Sequence, residues 1–516
     1  MQDVKIKMNN PVIPMDYPDP DVIRVGDTYY MLSTTMHFLP GAVILRSYDL
    51  ANWEIASYVF ETFEGTEEAR MTYERSNYGC GMWAGSLRYH KGRFYVSFAA
   101  KQTCKTYFYC AEDIEGPWEK YCIDFYFHDG SLFFDEDDRI YLVFGHRDIW
   151  IRELLPDFSG LKPGGFARLL LTDEGDAWVP HEGAHFYRIH GKYYLFTIRW
   201  AKNGTGRRCE YCFYGDTLDG EFKQIKVMDA AFGDGNNGVA QGGLVETNQG
   251  EWYSVLFQDK GAVGRVPILV PVVWDGDIPV FGRNGEVPVQ MELISNRPHY
   301  QYERLYTSDD FTSEKIKKQW QWNHEPNNEL WEIKNGGGLK ITTGKLSTNV
   351  TQAVNTLTQR MMYPHSSASV HVDASLLADG DYAGICALQG CYAMAAIMRE
   401  MGRYYLVLLR QKPLTGKMTG QLGNGSAYMP GVVLEKQPLT DCQIELKLDA
   451  NFEKEIDQVT FFYREAAGVG AWKKLGEACP VYFALDHFTG CRYGLSVFST
   501  KKTGGSAVFH DFNYRL

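Results

Sequence analysis

The sequence predicts an all-β chain, a five-bladed β-propeller followed by an antiparallel β-sandwich. Three observations carry that expectation. One short phrase occurs five times: a turn, an aromatic or Ile, a Tyr, then an apolar run. The copies read GDTYYML, KGRFYVSF, DDRIYLVF, HGKYYLF and QGEWYSVLF. Aromatics at 14% and 51 glycines suit strands joined by tight turns. Beyond about residue 308 the phrase stops and short alternating strands take over.

Each copy is the returning half of a hairpin. DVIRV-GD-TYYML joins two β-rich runs through Gly-Asp, a strong hairpin signal. SLRYHKGRFYVSF, SLFFDEDDRIYLVF, HFYRIHGKYYLF and LVETNQGEWYSVLF follow the same plan. The shared tyrosines are Tyr30, Tyr95, Tyr141, Tyr194 and Tyr253, spaced by 65, 46, 53 and 59 residues. That spacing suits a four-stranded blade plus variable loops. At 516 residues the chain is too long for one core. The expected division is a propeller over 1–295 and a sandwich over 296–516, with a connector at about 283–308. The second half offers LWEIK, GLKITTG, SASVHVDASL, YYLVLLRQK, QIELKLDA, QVTFFYRE and CRYGLSVFS as strands, and no catalytic pattern.

A net charge of −12 argues against a phosphate-binding footprint, so no nucleic-acid partner is expected. No run of about eighteen apolar residues suggests a membrane span. The start, MQDVKIKMNN, has neither the apolar core nor the cleavage site of a signal peptide, which suggests a cytoplasmic protein. Eleven cysteines at scattered spacing, with one C-x-x-C (Cys209, Cys212), read as mostly buried free thiols in a reducing compartment. There is no G-x-x-x-x-G-K-[ST] loop, no H-E-x-x-H helix and no G-x-S-x-G elbow. The acidic run Asp135–Asp138 lacks calcium-loop spacing and reads as a solvated turn.

Counting back about twelve residues from each tyrosine reaches Asp19, Trp83, Asp129, Glu182 and Gln241. In a propeller the first strand of each blade lines the central channel, so these five positions converge at its mouth. Three carboxylates crowded at one cavity cannot all ionise freely. Repulsion and burial separate their pKa values and make an acid and a base from one functional group. Glycoside hydrolysis needs that division, and Trp83 supplies a flat wall for a sugar face.

At these residues the chain resembles glycoside hydrolase family 43, the β-xylosidase and α-L-arabinofuranosidase group. The matching segments are NPVIPMDYPDPDVIRVGDTYYMLSTT, WAGSLRYH (with Gly85 where a Pro is usual), DGSLFF, HEGAHFY and GAVGRVP. The resemblance implies Asp19 as general base, Asp129 as pKa modulator and orienter, Glu182 as general acid, and Arg265 on sugar hydroxyls. It spans about 295 residues, and the remainder looks like the concanavalin-type sandwich of β-xylosidase-like members. The family is five-bladed and inverting, which places the working carboxyls roughly 6.5–9.5 Å apart. His37 and Phe38, and Phe488 in HFTG, are further candidates for the pocket border. Family members often carry a His in the fifth segment, facing a central cation or water. Here that segment is GVAQGGLVET. No cofactor is required. A structural calcium in the channel would use Gln241.

The implied activity is exo-acting release of a terminal pentose from short oligosaccharides, a β-D-xyloside first and an α-L-arabinofuranoside as the alternative. A homo-oligomer is compatible with the sequence. The reading from another class, a non-catalytic sugar-binding propeller, would need the loss of an acid, and all three are present.

Overall fold

The computed structural model describes residues 4–72, 75–233, 235–411, 430–454, 456–465 and 470–516. Five four-stranded antiparallel sheets form the blades, each made of consecutive strands except the first, which the two-residue strand Phe38–Leu39 interrupts. Blade I is Asp21–Val25, Thr28–Ser33, Gly41–Ser47 and Glu54–Phe60. Blade II is Trp83–His90, Arg93–Ala100, Lys105–Ala111 and Glu119–Ile123. Blade III is Ser131–Phe134, Ile140–His146, Asp148–Leu154 and Ala167–Thr172. Blade IV is Ala177–Ile189, Lys192–Ala201, Cys209–Gly215 and Lys223–Met228. Blade V is Ala240–Glu246, Trp252–Asp259, Arg265–Asp275 and Ile278–Phe281. The repeated phrase is the second strand of every blade. Its apolar run is buried because both faces of a blade pack against neighbours.

No blade shares strands from the two ends of the propeller. Lys5–Asn9 instead pairs with Gln290–Ile294 in a separate two-stranded sheet. Beside it the Asn10 side chain donates to the carbonyls of Leu269 and Pro288 and accepts from Leu269 N–H. Gly243 N–H of blade V also donates to Pro20 O at 2.8 Å.

A polar network ties the innermost strands together. Asp21, fully buried, accepts from Arg88 Nη1 at 2.6 Å and from Leu87 N–H at 2.7 Å, and lies 3.2 Å from His185 Nδ1. Arg88 Nη2 donates to Ser131 Oγ at 2.8 Å, and Tyr187 Oη accepts from Leu244 N–H at 3.0 Å. Burial pushes the Asp21 carboxyl up, but Arg88, His185 and the Leu87 N–H outweigh it and bring it to about 2.

The sandwich packs an eight-stranded sheet on a seven-stranded one. The edge of the larger sheet is unexpected. Phe38–Leu39, from the loop inside blade I, pairs with Gln321–Asn323, so the propeller supplies the sandwich's last strand. In return, the sandwich loop around Gly490 lies on the turn before the third strand of blade V. Asp16 clamps both, accepting from Gly490 N–H and Arg265 N–H at 2.8 Å each. Glycine is required here. A Cβ on Gly490 would sit 2.0 Å from Val263 O, and one on Gly264 would meet Gly490 Cα at 2.7 Å.

All eleven cysteines are free, and seven are buried. The acidic turn differs from expectation at its first residue. Asp135 is buried, accepting from Tyr193 Oη and Arg188, because the hairpin folds it against blade IV. No helix among the described residues is long and apolar enough to cross a membrane.

Candidate active site

The backbone explains how the first strands present side chains to the channel mouth. Asp19 and Asp129 precede their strands in the left-handed region, at φ 52° and 46°. Gln241 (φ 58°) and Gly183 (φ 66°), next to Glu182, share that conformation. It is uncommon away from glycine and most tolerable for Asp and Asn, so two of these bends fall on aspartates. Trp83, Glu182 and Gln241 lie within their strands rather than before them, each at a register shift. Such irregularities bend a strand and re-aim a side chain beside a site.

Asp19 is held from two directions. Thr34 Oγ1 donates to Oδ2 at 2.7 Å, and Arg265 Nη1 donates to Oδ1 at 2.9 Å. Both carboxylate oxygens of Asp19 are thereby oriented, and Asp19 and Arg265 are each buried. The Arg265 guanidinium also lies 4.4 Å from the Phe488 ring centroid. Phe488, from the sandwich, meets the Trp83 ring edge-on at 5.9 Å. Trp83 Nε1 and Arg265 Nε are buried donors with no protein partner among the described residues.

The other side of the mouth is built around Glu182. His146 Nδ1 lies 2.5 Å and His128 Nε2 3.2 Å from the same oxygen, Oε2. His128 Nε2 is also 3.6 Å from Asp129 Oδ2, which accepts from Gly183 N–H at 3.2 Å. Tyr126 Oη is 2.8 Å from His128 Nδ1. Burial raises the Asp129 carboxyl to about 6, with Glu182 and Asp19 adding to the rise against the pull of His128. Burial alone would raise Glu182 too, but hydrogen bonds from His128 and His146 bring it to about 2. Burial lowers His128, and Asp129 and Glu182 reverse that to about 9. The two shifts run in opposite directions, favouring an ionised Glu182 beside a protonated His128 in the ligand-free arrangement.

Asp19, Trp83, Asp129, Glu182, Arg265 and Phe488 are thus gathered at one mouth. His37 and Phe38 are not. The backbone turns them into the sandwich edge, where Phe38 is buried under the Arg492 guanidinium, 3.5 Å from its ring centroid. His37 is enclosed by Tyr78, His324 and His487. His128, His146 and Thr34 were missed as site residues. His128 stands beside Asp129 and His146 at the end of a blade III strand, but nothing local in the sequence says that both reach Glu182.

Gln241 stands beside a buried acid, Glu210. The Gln241 side chain lies against Gly183, and its N–H donates to Glu210 Oε2 at 2.7 Å. Burial pushes the Glu210 carboxyl up to about 8, leaving it neutral at pH 7. The one group of three close His, Cys, Asp or Glu donors among the described residues is His128, His146 and Glu182. A groove of about 780 Å³ lies elsewhere, between the connector, blade I and the sandwich. Its buried acid, Glu54, is taken up by Arg46, Tyr300 and Glu303 N–H.

Fold and site together define a glycoside hydrolase. Residues 8–279 match the model of glycosyl hydrolases family 43, and 308–515 match the beta xylosidase C-terminal concanavalin A-like domain. The first match covers more than half of the chain, and the chain belongs to glycosyl hydrolases family 43. A beta-xylosidase of Formosa agariphila is 26% identical over 468 residues, 80% of this chain and 78% of the relative. A non-reducing end alpha-L-arabinofuranosidase of Bacteroides ovatus is 24% identical over 364 residues, 66% of each. A bifunctional GH43-CE protein of Bacteroides eggerthii superposes with a TM-score of 0.89 at 36% identity. That match covers 99% of this chain, which spans 64% of the Bacteroides eggerthii protein.

Proposed function

We propose that this chain is an inverting exo-glycosidase that releases terminal β-D-xylosyl residues from short xylo-oligosaccharides. The carrying observation is that three carboxylates meet at one mouth with different partners. Asp19 is fixed by Thr34 and Arg265, Glu182 is bonded to two histidines, and Asp129 is the buried neighbour of Glu182. Water held by Asp19 attacks the anomeric carbon, and Asp19 takes its proton. Glu182 gives a proton to the departing glycosidic oxygen, and His128 supplies Glu182 with that proton as the sugar displaces water. Asp129 orients Glu182 and stabilises its protonated form. Trp83, Arg265 and Phe488 grip the terminal sugar, and the sandwich narrows the pocket toward short chains.

The relatives named for xylosidase and arabinofuranosidase activity keep α-L-arabinofuranosides as the second substrate. Cytoplasmic action and a homo-oligomer belong to the same proposal, the first in keeping with the unpaired thiols.

The test is a panel of 4-nitrophenyl glycosides, with the anomer of the released sugar followed by NMR. Faster turnover of the β-D-xyloside with α-xylose appearing first supports the reading. Preference for the arabinofuranoside selects the alternative. Sugar binding without turnover of any substrate would replace both with a sugar-binding propeller.

A further inference from the structure

We propose that His128, His146 and Glu182 form a site for a divalent transition-metal ion, best suited to Zn²⁺, whose binding shuts the enzyme. The inhibition rests on Glu182 being the proton donor; the binding does not.

The donor set is two imidazoles and a carboxylate, borderline-soft nitrogen with one oxygen. Zinc takes this set in three-ligand sites that keep a fourth position open. The three donor atoms lie within 4.8 Å of one another. Tetrahedral zinc with bonds of about 2.0–2.1 Å needs donors about 3.3 Å apart. His128 Nε2 and Glu182 Oε2 are 3.2 Å apart as they stand. His146 Nδ1, at 2.5 Å from Oε2, has to retreat by under ~1 Å. Its side chain is 52% exposed at the end of its strand, which leaves it room to do so.

Two further features favour a cation. Metal-bound histidines fix their orientation by donating the other ring nitrogen. His128 Nδ1 has such a partner in Tyr126 Oη at 2.8 Å. Asp129, whose Oδ2 is 3.6 Å from His128 Nε2, adds negative charge beside the site. The cationic neighbour is Lys101, whose Nζ sits 5.9 Å from the Trp83 ring centroid. The exposed face of His146 is the entry path. The consequence is direct: a Glu182 oxygen bound to metal cannot carry a proton to the leaving group. Hard cations such as Ca²⁺ and Mg²⁺ prefer all-oxygen sets and should bind far more weakly.

Isothermal titration with ZnCl₂ tests binding without any substrate, so it stands even where the glycosidase assignment fails. The wild-type chain should take up about one zinc. His146→Ala and, as a second replacement, His146→Asn should weaken it about tenfold or more, since losing even an outer-shell partner costs that much. A Cys104→Ser/Cys122→Ser variant, which removes the two exposed thiols, should bind zinc as the wild type does. Turnover should fall with the same midpoint as binding and return on adding EDTA. Absence of zinc binding overturns the proposal, as does an affinity unchanged in both His146 variants, or one lost with the two cysteines.

Discussion

The two sides of the pocket are built on opposite principles. On the Asp19 side every partner is buried, and both carboxylate oxygens are engaged by different blades. On the Glu182 side, His146 is exposed and two imidazoles compete for one oxygen. The first arrangement suits a group that must aim a water molecule in one direction. The second suits a group that must gain and lose a proton each cycle. Under the proposed roles, a rigid base and a rechargeable acid face each other across one channel, one toward blades I and V and the other toward blades III and IV.

The largest expected effect breaks the comparison directly. Asp19→Ala should reduce kcat about 10²–10⁴-fold on every substrate, because the attack on the anomeric carbon always needs the base. Glu182→Ala should lose a similar factor on xylobiose but far less on a 2,4-dinitrophenyl xyloside, whose leaving group needs no proton. Equal losses on both substrates in both variants would remove the distinction between the sides.

Next comes the centre of the ring. Asp21 stands two residues from Asp19 but is buried between Arg88 and His185. Asp21→Asn leaves Arg88 uncompensated and should cost about 3–5 kcal/mol of stability in urea denaturation. Unchanged stability would mean that the network does not hold the blades together.

The interface of the two domains should respond to acid. Burial, with His324 and His487 nearby, holds His37 well below 6.5; burial does the same for His324, beside His487, and brings His487 to about 4. The groups facing them are Tyr78, Asn323, Arg492, Lys345 and Asp486. Between about pH 6.5 and 4 the unfolded chain takes up protons that the folded one refuses. Stability should therefore fall as pH drops through that window, by up to about 1.4 kcal/mol per unit for each histidine. Denaturation midpoints measured across it should lose the His37 share of this slope, about a third, in a His37→Phe variant. The smallest effect is Phe488→Ala, which removes ring contacts worth about 0.5–1.5 kcal/mol and should raise KM roughly 3- to 10-fold with little change in kcat.

The blades were legible because a repeat leaves a ruler in the sequence: a tyrosine one hairpin beyond each channel position. That ruler found Asp19, Trp83, Asp129, Glu182 and Gln241, and the order of the strands followed from turn chemistry. Contacts between blades left no such mark. His146 lies 36 residues from Glu182, and only the packing of blade III against blade IV brings them together. YPDPDV holds Asp19 and Asp21 side by side, and local sequence does not say which faces the channel mouth and which the network beneath it. TTMHFLPG reads as a pocket-side turn, because its pairing partner, Gln321–Asn323, is nearly 300 residues away.

That last pairing bears on how the chain can be recombined. The propeller supplies an edge strand to the sandwich through Phe38–Leu39, and the sandwich returns Phe488 to the pocket. A chimera joined in the connector cuts through neither exchange in sequence but through both in space. A sandwich grafted from another member would bring its own loop in place of residues 486–491 yet meet a foreign edge strand. Successful grafts will need residues 36–40 and 486–491 transplanted as a matched set, so the inheritable unit is the pair of loops and not the domain.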